Sequence, residues 1–273
     1  MSTRATITDN YLAALGLQRA APSMALLRNI MQLHVATFSF ASIGPRLGES
    51  LPLDLPSLHD RIVVRKRGGY CFEQNGLAYE VFEELGFSVT LMMARVLLRN
   101  PVHPGLTHRF TMVNLGAEKY IVDVGFGPLG PRLPVNASTL APADSEQPFR
   151  VVSLVPGEFT LVTQKDGADV PLYRFENCRY GASDCELGHF YSHRHPDANF
   201  VNNLVACRKM DGETRSLRNR DYWVLRPHGD EQREVRSAEE LKALLETDFD
   251  LLVSQAESEM LFSALPPRAS VLL

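Results

Sequence analysis

Two glycines set directly before a cysteine, at the head of an amphipathic segment, constrain this chain more than any other feature. The stretch reads Arg67-Gly68-Gly69-Tyr70-Cys71-Phe72-Glu73-Gln74-Asn75-Gly76. Leu77, Val81 and Leu85 then recur at helical spacing, with Phe82 beside them and Gly86 as a stop. The spacing predicts a helix over residues 71–85 with Cys71 in its first turn. Unpaired N–H groups at a helix start favour negative charge, so a thiolate is favoured there.

Upstream, residues 8–15 read as a short helix, with Thr8 or Asp9 as cap and Gly16 as stop. Ser23 caps a second helix whose apolar face is Leu26, Leu27, Ile30 and Leu33. Gly44-Pro45 ends that periodicity, and Pro52 and Pro56 mark a connection. From Phe87 the pattern changes to short β-rich runs: 87–98, 108–115, 119–125, 151–155, 159–163 and 172–175. Pro101, Pro104 and Gly105 form a loop, the proline-rich tract 128–148 another, and Asp166-Gly167 a turn. The last third mixes strands at 204–209 and 222–225 with a helix at 238–246, where Ser237 and Glu240 form a capping box. The expectation is an α+β chain of three units: 1–86 helical with the cysteine, 87–190 β-rich, and 191–273 α/β.

Length and charge remove several function classes. A chain of 273 residues with net charge −4 has no basic surface for nucleic acid and no polybasic membrane patch. No apolar run approaches a membrane span, and the N-terminus lacks a signal-peptide pattern, so a cytoplasmic location is expected. Cys71, Cys178, Cys185 and Cys207 form neither a disulfide framework nor a C-x-x-C pair. The last three lack a glycine lead-in and are expected to be packing residues.

The β-rich section contains a hairpin around Gly116-Ala117-Glu118. With a four-residue loop at 114–117, position 108 faces position 123, and these are His108 and Asp123. Directly opposed residues share a face with Cβ atoms about 4.5–5.5 Å apart. Asp123 sits in the apolar run Tyr120-Ile121-Val122-Asp123-Val124, where a carboxylate needs a partner. With Cys71 these residues can form a Cys-His-Asp set. The carboxylate fixes the imidazole tautomer, and the imidazole takes the thiol proton.

These residues resemble the arylamine N-acetyltransferases. The likeness rests on residues 67–75, on Thr107-His108, and on Tyr120-Ile121-Val122-Asp123-Val124-Gly125-Phe126-Gly127. A weaker likeness reaches back to residues 38–48 and forward to 191–211. The resemblance implies a helical first domain, a β-barrel-like middle domain and an α/β C-terminal lid around a cysteine-protease- or transglutaminase-like core. It implies ping-pong acetyl transfer from acetyl-CoA, a cosubstrate rather than a bound cofactor, through Cys71 to small aromatic amines or hydrazines, including xenobiotic ones. His108 is then the general base and Asp123 its orienter. Asn75 and Arg67 support the triad, Phe40, Val96 and Phe126 form the substrate wall, and Gly125 and Gly127 lie near the CoA entry. A monomer or homodimer is expected. One departure stands out: where the family has Phe-Glu-Asn, this chain has Phe40-Ala41-Ser42. Arg67 thereby loses its usual acidic partner.

Other features carry weaker expectations. His189, His193 and His195 have spacing that could bind zinc, but Pro196 and the match to a loop without metal argue against it. Arg215, Arg218 and Arg220 are a solvated basic face or a contact for CoA phosphates. Competing functions are an amide synthase with a larger acyl donor, a cysteine hydrolase with the same triad, and a non-catalytic metal-binding protein.

Overall fold

The computed structural model describes residues 3–98, 104–140, 148–165 and 167–266; Pro101 and Asp166, read above as loop and turn residues, lie outside them. The chain begins with α1 (Arg4–Ala14), capped by Thr3, whose hydroxyl accepts from the Thr6 N–H at 3.2 Å. Thr8 and Asp9 therefore sit inside the helix rather than capping it, and Ile7, Tyr11 and Leu12 form its buried face. Ser23 caps α2 (Met24–Thr37) as its position predicts. Then follow β1 (Phe40–Ala41), α3 (Ile43–Leu47), and α4 (Leu55–His59), which widens into a π-turn over Asp60–Val64. The helix after the two glycines is α5 (Cys71–Glu84), and Gly86 closes it with a φ of 85°. Leu27, Ile30, Leu77, Val81 and Phe82 pack these helices together.

The middle of the chain is a seven-stranded antiparallel sheet. Its strands are β2 (Ser88–Val96), β3 (His108–Leu115), β4 (Glu118–Val122), β5 (Val135–Asn136), β6 (Phe149–Val155), β7 (Glu158–Lys165) and β8 (Ala168–Glu176). Their order is β5-β4-β3-β2-β8-β7-β6. The end strands β5 and β6 approach each other, so the sheet curls into a nearly closed barrel around Phe110, Leu161, Leu172 and Tyr173. Val113 and Val122 face the helices instead and join their core.

The hairpin register differs from the one expected. Leu115 pairs with Glu118, so the turn is only Gly116-Ala117, with Gly116 at φ 64°. Thr111 then pairs with Val122, and β4 stops there. On this register position 123 faces 110, not 108. A shift of two residues keeps every side chain on its face, so His108 and Asp123 meet diagonally rather than directly.

The last part contains α6 (Ala182–Arg194), α7 (Asn199–Asn202), β9 (Val205–Met210), β10 (Glu213–Arg218), β11 (Asp221–Leu225), β12 (Glu231–Glu234), α8 (Ala238–Phe249) and α9 (Gln255–Ser263). A five-stranded sheet runs β1-β9-β10-β11-β12, so an early strand borders a late one. Phe40 pairs with Cys207 and Ala41 with Ala206. Leu241, Leu244, Leu245 and Phe249 cover this sheet from α8. Ser237 caps α8, but Glu240 accepts from the Arg236 N–H rather than returning to Ser237. Among the described residues no helix is long and apolar enough to cross a membrane.

Candidate active site

Gly68 and Gly69 are both required, for different reasons. Gly68 has a φ of 64°, and a Cβ there would stand 2.7 Å from the Ser39 carbonyl oxygen. A Cβ on Gly69 would stand 2.8 Å from that of Glu73. This close approach lets the Glu73 carboxylate reach back and accept from the Tyr70 N–H at 3.1 Å, which fixes the helix start. Cys71 is thereby the first residue of α5, 3% exposed, with its sulfur 3.6 Å from the Thr107 carbonyl.

His108 opens β3 and Asp123 follows the end of β4. His108 Nε2 lies 2.7 Å from Asp123 Oδ2, and both residues are buried. A carboxylate only accepts, so Nε2 carries the proton and Nδ1 is the basic nitrogen. Asp123 Oδ1 accepts from Asn75 Nδ2 at 2.9 Å and from the Gly125 N–H at 3.0 Å. Asn75 also donates to the Arg109 carbonyl at 2.6 Å and accepts from the Val124 N–H at 3.0 Å. One side chain, a helical turn beyond Cys71, thus fastens α5 to both strands of the hairpin. Burial pushes the Asp123 carboxyl up, but His108, Asn75 and the Gly125 N–H outweigh it, and the group titrates below its ordinary range.

Burial pushes the Cys71 thiol up, and the Asp123 charge adds to that; backbone contacts at Arg109 and Phe72 offset only part. The helix start alone therefore does not hold a thiolate in this dry setting. A thiolate needs a cation beside it.

Sequence reading missed Tyr173. It is fully buried on β8, its ring 4.9 Å from that of His108, and its hydroxyl lies against the Asp123 carboxylate without an aligned hydrogen bond. Phe126 meets the His108 ring edge-on at 5.1 Å. Nothing near Asp123 in the sequence signals a tyrosine fifty positions away. A second missed feature is a polar chain behind α5. The Tyr11 hydroxyl donates to His34 Nδ1, His34 Nε2 donates to Gln74 Oε1, and Gln74 Nε2 donates to the Ser39 carbonyl.

Arg67 has acceptors despite Ala41. It donates to Glu49 Oε1 at 2.5 Å, to Glu257 Oε1 and Oε2 at 2.8 and 3.1 Å, and to the Leu252 carbonyl at 2.8 Å. Glu49 also pairs with Arg61 at 2.6 Å, and Arg61 Nε lies 2.8 Å from Glu73. Burial pushes Glu73 up to about 7 against the pull of Arg61.

A narrow cavity beside Asp123 is lined by Phe40, Phe126, Gly127, Gly130, Cys207 and Lys209, among others. Val96 is not among its lining residues; it sits on β2 opposite Tyr173. Gly125 lies against α5, since a Cβ there would meet Asn75 Nδ2 at 2.6 Å and the Cys71 Cα at 2.8 Å. Gly127 has open space around it and a φ of 87°.

The histidine trio is held in hydrogen bonds. His189 Nε2 donates to the Leu51 carbonyl at 2.7 Å, and its Nδ1 accepts from the Tyr70 hydroxyl at 2.5 Å. His193 Nδ1 donates to the His189 carbonyl. Among the described residues no group of three His, Cys, Asp or Glu could hold a metal ion. Arg215 pairs with Glu213 and Asp248, and Arg220 lies over the Phe262 ring. Cys185 and Cys207 are buried as expected, whereas Cys178 is exposed and packs in no core.

Known proteins match this chain along nearly its whole length. The sequence profile of the N-acetyltransferase family covers residues 23–258. The arylamine N-acetyltransferase of Escherichia coli is 34% identical over 269 residues, 92% of this chain and 91% of its own. The solved arylamine N-acetyltransferase of Salmonella typhimurium superposes with a TM-score of 0.89 at 27% identity, covering 95% of this chain and 99% of its own. That of Mycobacterium marinum, solved in complex with CoA, gives 0.87 at 26% identity over 94% and 98%. This chain belongs to the arylamine N-acetyltransferase family of acyltransferases.

Proposed function

We propose that the protein is an acetyl-CoA-dependent arylamine or arylhydrazine N-acetyltransferase working by a ping-pong mechanism through acetyl-Cys71. The observation that carries this is the buried His108 Nε2–Asp123 Oδ2 contact of 2.7 Å beside a nucleophile at a helix start. The relative solved with CoA supports the donor.

In the first half-reaction the Cys71 proton passes to His108 Nδ1. The imidazolium supplies the cation that the dry thiolate needs, and Asp123 stabilises it through Nε2–H. The thiolate attacks the thioester carbonyl. CoA leaves as its thiolate and takes the proton from His108. In the second half-reaction the amine nitrogen attacks the acetyl carbon, His108 Nδ1 takes the amine proton, and Cys71 leaves and is reprotonated.

Asn75 positions Asp123, and Arg67 braces the turn ahead of Cys71. Phe40 and Phe126 supply an apolar wall, and Val96 extends it. Gly125 and Gly127 shape the turn past which CoA enters. Residues 191–273 act as a lid over the units 1–86 and 87–190, in a cytosolic monomer or homodimer.

The test is intact-protein mass spectrometry after addition of acetyl-CoA without acceptor. The expected result is a gain of one acetyl group on Cys71, absent in Cys71→Ala and discharged by an arylamine. Free CoA release without a labelled intermediate or acceptor would instead mean a hydrolase.

A further inference from the structure

A second cleft, with a volume of about 360 Å³, lies beside the turn that leads into Cys71. That volume is in the range of small-molecule pockets. Gly68 lines it, whereas Cys71, His108 and Asp123 are not among its described lining residues. Its walls are apolar: Phe38, Ile62 and Leu251 are buried and Val63 is half-buried. The charged residues among its described lining are one cation and one anion, Lys66 and Asp250. Their side chains are 46% and 36% exposed, which sets them at its mouth. Lys66 Nζ donates to the two Asp250 carboxylate oxygens at 3.0 and 2.8 Å.

The backbone at both charged residues is unusual. Lys66 has a φ of 50° and Asp250 a φ of 52°, two of the three non-glycine residues with positive φ among the described residues. L side chains enter that region at a cost. The Leu252 N–H donates to the Lys66 carbonyl at 3.0 Å, so the two segments are fastened side by side. Residues held in this way collect at ligand clamps. Here they bring opposite charges together at the mouth of one cleft.

That pair is neutral as a whole. A ligand with a single charge is drawn to one member and repelled by the other, whereas a zwitterion satisfies both. An ammonium has three donors, so Lys66 retains at least one for an incoming carboxylate, and Asp250 accepts from an incoming ammonium. The apolar walls then take an apolar body.

We propose that this cleft binds a free α-amino acid with a large apolar side chain, such as phenylalanine, and that the bound molecule steadies the turn that carries Cys71. The path between the two is short. Gly68, with a φ of 64°, and Ser39 line the cleft together. The Ser39 carbonyl accepts from Gln74 Nε2 on α5 at 2.9 Å. A filled cleft leaves Gly68 and Ser39 less room to move, and the start of α5 moves less with them. The site does not depend on which reaction Cys71 performs.

The test measures binding of L-phenylalanine, 3-phenylpropionate and 2-phenylethylamine by ligand-observed NMR and equilibrium dialysis. L-phenylalanine is expected to bind with a Kd of about 1 mM or tighter, and about tenfold tighter than either analogue with one charge. Lys66→Gln and Asp250→Asn are each expected to weaken it about tenfold. Ala14→Trp, at an exposed lining position, is expected to abolish binding, with Thr37→Trp as a second blocking variant if α1 is disturbed. Alkylation of Cys71 by iodoacetamide is followed in parallel by mass spectrometry. At ten times its Kd, L-phenylalanine is expected to slow alkylation up to about tenfold, because a turn that opens must first release the ligand. The slowing should vanish in Ala14→Trp. Equal affinity for the three probes would overturn the zwitterion assignment. Slowing that persists in both blocking variants would place the molecule at Cys71 itself and overturn the second site. Binding with an unchanged alkylation rate would overturn the link to the Cys71 turn.

Discussion

Gly125 lies directly against Cys71: a Cβ at position 125 would stand 2.8 Å from the Cys71 Cα and 2.6 Å from Asn75 Nδ2. These are backbone and hydrogen-bonded atoms, which have little room to yield. Gly125→Ala is therefore expected to cost about 1–3 kcal/mol of stability by overpacking and to lower kcat sharply. Gly127→Ala meets no atoms and carries only the strain of its φ of 87°, about 1 kcal/mol. Denaturant unfolding and steady-state acetylation of the pair check this, and equal losses in kcat would refute it.

Asp123→Asn keeps the shape of the side chain but turns a donor toward His108 or leaves Asn75 unpaired. The imidazole then loses the acceptor that holds its proton on Nε2. Loss of correctly set acid–base catalysis is expected to lower kcat/KM by about 10²-fold or more. Thermal unfolding should still be cooperative, and near-normal turnover would show that the carboxylate is only structural.

Stability should fall in mild acid. His34 and His189 are pushed down to about 4, chiefly by burial. In the unfolded chain each titrates near 6.5. Their contribution is intact above that value and is lost as pH falls toward 4, because the unfolded chain takes up protons that the folded protein refuses. Glu73, raised to about 7, acts oppositely: the folded form binds its proton first, and stability is gained as pH falls. Two histidines outweigh one glutamate, so the urea midpoint should be lower at pH 5 than at pH 7. His34→Gln should flatten that slope, and a midpoint unchanged with pH would contradict the argument.

Arg67→Ala leaves Glu49 and Glu257 without their shared cation, and half of that network is poorly solvated. Glu49 keeps Arg61 and both carboxylates are partly exposed, so a loss of about 1–3 kcal/mol is expected. Glu257→Gln removes a carboxylate that is 32% exposed, and about 1 kcal/mol or less is expected. Urea unfolding of both variants measures the difference, and equal losses would mean that Glu257, not Glu49, anchors Arg67.

Elements with local signals were legible. The range of β3, the start and end of α5 and the Ser23 cap all follow from residues within one turn of the boundary. The hairpin register was misplaced by two because Gly116-Ala117 suits both a two-residue turn and a longer loop. Period-two alternation kept His108 and Asp123 on one face regardless. Helix α6 left no periodic trace, since Leu187 and Phe190 stay exposed and Gly181 caps it without a side chain. Tyr173 and the acceptors of Arg67 were illegible for another reason: they meet their partners only through long-range packing.

Glu257 lies 190 residues after Arg67, and Ser39 donates to the Phe249 carbonyl 210 positions on. The turn that presents Cys71 is thus secured by residues far downstream of it, and a fragment lacking them would carry the cysteine on an unbraced turn.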